Sequence, residues 1–365
     1  MGRTVLTRRA LARGAAVVTA AATGMFEVPS AGQAAAGDDV PAGDNRRCRI
    51  DVHHHCVPPA WVAWAESRGL VDRSQLPWWA HWEVGPTLSM MDSAGIATAV
   101  MSVTTPVTTP YTDDAQRRES LRVAYQAVVD LIAAHPGRFA FLAQARLDDL
   151  GFAIWSVRYG LRAGAVGAQL PTRDGQARYL GNPVFDPLLA ELDDWSTVAV
   201  LHPTDVPGTS DEQPALPGVP NFLCDYALET TRASVNMTVH RVLDRFPRLS
   251  FVLPHGGGFL PYLSARFELT GESTDPPVDA ALVREYTRRF HYDTAAPMSP
   301  SSTPTLLATA GAARLLYGSD WPPMTLDQVL RAAAALDGDP ALTGAHRAAI
   351  NRDNALALFP ALACT

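Results

Sequence analysis

The chain has 365 residues, 47% of them hydrophobic and 18% charged, with a formal net charge of −7. That supplies one large α/β barrel or two ordinary domains, and mild acidity without basic runs gives nucleic acid no footing as a partner. There is no lysine, which excludes Schiff-base chemistry, a pyridoxal-phosphate site and a P-loop, since each needs that amine.

Residues 1–36 read as a signal peptide: Arg8 and Arg9, a short Ala-rich apolar run, then the small residues Ala34, Ala35 and Ala36. The run is too short to span a membrane. The arginine pair before Ala10-Leu11 looks like a twin-arginine signal, which predicts an exported protein, periplasmic or secreted. Cleavage is expected between residues 34 and 37, leaving 37–47 as a polar lead-in. Cys48, Cys56, Cys224 and Cys364 lack zinc-ribbon spacing and are too few for a disulfide scaffold, so they read as structural. An oxidised pair is compatible with export.

The folded part opens on Ile50-Asp51-Val52-His53-His54-His55-Cys56, a short strand ending in ligand-type residues. Alternation along a strand projects His53 and His55 one way and His54 the other. Two imidazoles side by side at a strand end can grip one divalent metal. Five of the eight tryptophans follow, Trp61, Trp64, Trp78, Trp79 and Trp82, either packing a small insertion or walling an aromatic pocket; packing is the simpler reading.

Helical and extended patterns then alternate. Helices are predicted at 87–94, 113–135, 148–162, 185–192, 225–246, 259–269, 326–336 and 344–358. Strands are predicted at 97–103, 139–147, 165–170, 197–202, 249–255, 290–294 and 314–320. A Pro- and Gly-rich loop fills 204–221, a length that usually carries function. Eight strands alternating with helices predict a (β/α)8 TIM barrel over 48–365, with a small Trp-rich insertion after the first strand.

In that fold catalytic groups stand at the C-terminal ends of strands. His53, His55, His202, His255 and Asp320 all fall there. Three imidazoles and one carboxylate suit a single divalent ion, zinc first and manganese second, with positions left open for water or substrate. His255 reads either as a fourth ligand or as a general acid/base, and the adjacent Gly256-Gly257-Gly258 imply close approach by a substrate or a helix. His291 reads as structural.

These motifs, with Gly181-Asn182-Pro183-Val184-Phe185, Leu201-His202-Pro203 and Tyr317-Gly318-Ser319-Asp320-Trp321-Pro322, resemble the amidohydrolase-related family of aminocarboxymuconate-semialdehyde decarboxylase and the hydroxybenzoate decarboxylases. The resemblance covers nearly all of 48–360. It implies metal ligation by His53, His55, His202 and Asp320, with His255 as catalytic acid/base. It also implies that Arg266 reaches the substrate carboxylate of a neighbouring subunit, hence a homodimer. A second carboxylate-binding arginine of the semialdehyde enzyme has no counterpart before residue 87, where His81-Trp82-Glu83 stand. The Trp-rich segment is more similar to 6-methylsalicylate decarboxylase. Two-metal relatives commonly bridge their metals with a carboxylated lysine, so one metal is consistent here. The expectation is a non-oxidative decarboxylase of an ortho-hydroxybenzoate or conjugated acid, with Asp320 or His255 delivering the proton. A hydrolase of a lactone, ester or amide is the alternative, and an exported metal-binding protein a third reading.

Overall fold

The computed structural model describes residues 48–105, 111–205, 208–209, 213–295 and 299–364. The predicted signal peptide and lead-in lie outside them, as do parts of the 204–221 loop. Eight strands, each parallel to the next in chain order, form one sheet: β1 Arg49–Cys56, β2 Ile96–Val103, β3 Phe139–Gln144, β4 Gly167–Pro171, β5 Val198–His202, β6 Ser250–Leu253, β7 His291–Asp293 and β8 Leu315–Leu316. The ring closes through the segment after β8: Val52 N–H donates to the Tyr317 carbonyl at 2.9 Å and His55 N–H to the Trp321 carbonyl at 2.6 Å. This is the expected (β/α)8 barrel.

Its helices are α1 Pro59–Ser67, α2 Val84–Ala94, α3 Asp114–Ala134, α4 Leu150–Arg162, α5 Asp186–Asp194, α6 Asn221–Val239, α7 Val242–Arg245, α8 Leu260–Thr270, α9 Ala280–Arg289, α10 Thr303–Thr309, α11 Leu326–Asp337, α12 Gly344–Ala348 and α13 Asn354–Leu358. None among the described residues is long and apolar enough to cross a membrane. Alternate strand residues fill the barrel: Ile50, Val52, Val100, Ala140, Leu142, Val198, Val200, Val252 and Leu316 form one buried cluster, joined by Phe359 and Leu362 of the C-terminal segment. The intervening residues face outward into a second, larger cluster shared with the helices. Such a barrel is a packed core and not a pore, so polar chemistry is confined to its ends.

Several elements are shorter than the sequence suggests. The predicted helix 225–246 is two helices, because Arg241 adopts a left-handed conformation with φ 52°. The predicted strand 314–320 pairs only at Leu315–Leu316; its remainder turns inward to the site. The Trp-rich insertion packs as a small unit: Trp61 is fully buried and donates from Nε1 to Ser120 Oγ of α3 at 2.8 Å. Trp82 is buried as well, while Trp78 is exposed.

Candidate metal centre and active site

Strand β1 carries one extra residue against β2: three steps from Asp51 to His54 oppose two from Ala99 to Met101. That bulge lets His53 and His55 both point into the barrel mouth after Val52 has already faced inward. His54, on the other face as alternation requires, is buried and bonds Asp51 Oδ2 through Nδ1 at 3.0 Å. Asp51 also accepts from Ser319 N–H at 2.9 Å and Ser319 Oγ at 2.5 Å, which ties β1 to the turn that bears Asp320. Within that turn a Cβ on Gly318 would stand 2.9 Å from His53 Cβ, so glycine allows this approach. Asp320 itself takes φ 58° and donates its N–H to the His53 carbonyl at 2.8 Å. Left-handed backbone at a non-glycine residue is a local strain that the surrounding bonds hold in place.

The result is a tight cluster. One ligand-type atom from each of His53, His55, His202 and Asp320 lies within 4.8 Å of the others. Asp320 Oδ1 is 3.1 Å from His55 Nε2 and 3.3 Å from His53 Nε2. His202, the last residue of β5, has its Nδ1 held by the Pro203 carbonyl at 2.8 Å, which leaves Nε2 for the cluster. His53 Nε2 is buried without a hydrogen-bond partner. A buried, unpartnered imidazole nitrogen facing a carboxylate and two more imidazoles is the signature of a ligand set, and three nitrogens with one oxygen suit zinc or manganese. The donors fit one divalent ion.

Electrostatics point the same way. Burial alone would lower the His53 pKa, but the Asp293 and Asp320 charges outweigh it and hold it well above its ordinary value. Burial and the neighbouring imidazoles push His202 well below its own, and burial lowers His55. Burial would raise Asp320, yet His53, with hydrogen bonds from its neighbours, holds it well below the carboxylate range. The carboxylates thus favour positive charge at His53, while burial disfavours it at His55 and His202.

His255 stands beside this set. Its Nε2 is 3.6 Å from Asp320 Oδ2, and its ring centroid is 5.1 Å from that of His53. Two of the three glycines after it allow close approach: a Cβ on Gly258 would fall 2.1 Å from the Ala227 carbonyl of α6, and one on Gly257 2.6 Å from the Tyr292 ring of β7. Arg266 lies elsewhere, exposed on α8. His291 is also outside the cluster, with Nε2 accepting from Arg314 at 3.1 Å.

Residues 50–361 match the amidohydrolase family model. The chain belongs to this family. It is similar to decarboxylase yanB of Aspergillus niger, 31% identical over 86% of this chain and 87% of the relative. It is 30% identical to the 6-methylsalicylic acid decarboxylase of Penicillium expansum, over 86% of this chain and 97% of the relative. A solved amidohydrolase II structure superposes with a TM-score of 0.72 at 26% identity, covering 86% of this chain and 99% of that one.

The amidohydrolase site also uses residues that the sequence reading passed over. Asp293, at the end of β7, accepts from His53 Nδ1 at 2.7 Å through one oxygen, and from the N–H groups of His255 at 2.8 Å and Ala295 at 3.1 Å through the other. It thus aims both the ligand and the candidate acid/base. Its alternation with the buried Tyr292 was the one available signal. Next to His202, a cavity of about 610 Å³ opens over the ends of β3, β4 and β5. The tryptophans of the insertion do not line it; Trp82 lines a separate hollow of about 110 Å³.

Proposed function

We propose that the chain catalyses metal-dependent, non-oxidative decarboxylation of an ortho-hydroxybenzoate-like aromatic acid. The observation that carries this reading is the pairing of His255 with Asp320 directly beside a three-imidazole ligand set, in a chain about 30% identical to aromatic-acid decarboxylases. His53, His55, His202 and Asp320 would hold the ion; when bound, it supplies a positive centre that attracts and polarises a chelating carboxylate and ortho-oxygen. Zinc and manganese both accept this donor set, with zinc the first choice.

The remaining work falls to the chain itself. Asp293 fixes the His53 ring through Nδ1, leaving Nε2 directed into the site. His255, whose Nε2 lies 3.6 Å from Asp320 Oδ2, or Asp320 itself delivers a proton to the ring carbon that bears the carboxylate. The ring–carboxylate bond then breaks, its electron pair restores aromaticity, and CO2 departs. Protonation of the ring stands in for an organic electron sink, so no further cofactor is required.

Two further parts of the reading concern assembly and place. Arg266 shares one face of α8 with Phe259, Tyr262 and Leu269, at helical spacings of three, four and three. Tyr262 is 80% and Leu269 84% exposed, with Phe222 and Leu223 of α6 also exposed. An apolar stripe of that kind supports a homodimer in which Arg266 serves the partner's site. The Arg8-Arg9 pattern supports export of the folded enzyme. The deciding test of function is CO2 release from a panel of salicylates, against hydrolysis of simple esters and lactones, with metal content measured on the same sample. Ester or lactone turnover without CO2 would overturn the decarboxylase reading.

A further inference from the structure

Part of the cavity beside His202 is built from groups that the proton-transfer chemistry leaves unused. Gln144 ends β3 and is register-paired with Gln169 of β4. Both continue the inward-facing series of their strands, after Ala140 and Leu142 on β3. Both line the same cavity as His202. Gln169 is 8% exposed, and neither side-chain carboxamide has a hydrogen-bond partner among the described residues. Both carboxamides therefore keep their donors and acceptors available to whatever occupies the cavity.

The cavity's two arginines differ in the same telling way. Arg173 is buried and committed, with Nε donating to Glu229 Oε2 at 2.9 Å and Nη1 to the Asp174 carbonyl at 3.1 Å. Arg146 follows Gln144 by two residues, lines the cavity and has no ion-pair or hydrogen-bond partner among the described residues. Each acidic group of the wall has a partner, although only Asp174 has a cationic one among the described residues. Asp148 accepts from Gly175 N–H at 2.9 Å, Asp174 pairs with Arg178 at 2.6 Å, and Asp205 accepts from Asn221 at 3.1 Å and Tyr226 at 3.2 Å.

We infer that this wall is a second substrate subsite: Gln144, Gln169 and Arg146 receive an anionic oxygen substituent, best a carboxylate, carried on the ring away from the reacting carboxylate. Two carboxamides supply donors that adapt to either oxygen, and a guanidinium completes a charge-assisted contact. A methyl group would make none of these contacts, and a site built for hydrogen bonds discriminates against an analogue that lacks them. The preferred substrate class is therefore a hydroxylated benzene dicarboxylate and not a simple methylsalicylate. This inference rests on the aromatic-acid reading above and narrows it.

The test uses the full, metal-loaded protein with salicylate, 6-methylsalicylate, 4-hydroxyisophthalate and 2-hydroxyterephthalate, followed both by calorimetric binding and by CO2 release. At least one dicarboxylate should bind about 10- to 100-fold more tightly than 6-methylsalicylate, the range of one or two hydrogen bonds to a charged group. Arg146→Ala and, separately, Gln169→Leu should remove most of that preference, so that the loss on the dicarboxylate exceeds the loss on salicylate by roughly tenfold or more. Equal losses on all four acids would overturn the subsite, because Arg146 would then serve the shared carboxylate. Wild-type protein that binds 6-methylsalicylate as well as either dicarboxylate would overturn it too. An Arg146-dependent binding preference without CO2 release would leave the subsite standing and sink the decarboxylase reading instead.

Discussion

The two ends of the barrel treat buried polar groups in opposite ways. At the N-terminal floor, Arg49 is 3% exposed, and each of its three side-chain nitrogens donates: Nε to Asn351 Oδ1 at 3.2 Å, Nη1 to the Ala94 carbonyl at 2.5 Å and Nη2 to Asp337 at 2.5 Å. At the C-terminal mouth, His53 Nε2 has no hydrogen-bond partner among the described residues, imidazoles crowd one another, and Asp320 and His255 both hold left-handed backbone. One end spends its polar groups on cohesion. The other keeps them unspent, at a cost in stability, for a ligand that supplies the missing interactions.

Breaking the mouth should therefore destroy activity with little loss of fold. His53→Ala or Asp320→Ala is expected to abolish stoichiometric metal binding and to cut turnover by roughly a thousandfold or more. His255→Ala should retain the metal and still lose about 10²–10⁴ in kcat. Metal analysis beside kcat separates the two outcomes, and a His53→Ala protein with full metal content would remove the ligand assignment. Breaking the floor should do the reverse. Arg49→Ala strands Asp337 and Asn351 and is expected to cost roughly 3–5 kcal/mol in urea unfolding, with kcat per folded molecule unchanged.

The mouth, though not the floor, was legible in the sequence. His53, His55, His202 and Asp320 each stand where an apolar run stops, and a barrel brings those ends together wherever they lie in the chain. Asp293 was not legible, because its value comes from the barrel mouth bringing the end of β7 to His53 of β1, 240 positions away in sequence. Gln144 and Gln169 carry no chemical signal of their own; only their shared inward face makes them a pair. The glycines after His255 did announce close approach, and at Gly258 the approaching group is a helix, the α6 backbone. Boundaries slipped where a backbone change had no Gly or Pro to mark it, as at Arg241. They slipped again where the chain keeps an extended look after leaving the ladder, as beyond Leu316.

His291 sharpens the comparison through pH. It opens β7, where burial and then the Arg314 charge lower its pKa to about 4. Above pH 6.5 the imidazole is neutral in both folded and unfolded chains and contributes nothing. Between about 6.5 and 4 the unfolded chain takes a proton that the folded one refuses, so stability falls as pH drops. The full effect is about 3 kcal/mol. Unfolding midpoints at several pH values should show a shallower acid slope in His291→Gln than in the parent. Identical slopes would mean that this imidazole is not held neutral by the fold.

The smallest expected effect is the most informative, because Asp293 belongs to both regimes. One oxygen staples the backbone at His255 and Ala295; the other orients His53. Asp293→Asn keeps the shape and can keep an acceptor toward the backbone, but it removes the charge that faces His53 Nδ1. If the residue serves chiefly as a staple, thermal stability should shift while metal affinity stays constant. If it serves the mouth, a chelator-competition titration should show affinity falling by about 10- to 100-fold with the melting temperature nearly unchanged. The second outcome is expected, because the 2.7 Å contact is made to a ligand whose other nitrogen has no hydrogen-bond partner among the described residues, and the orientation of that ring is what the carboxylate controls.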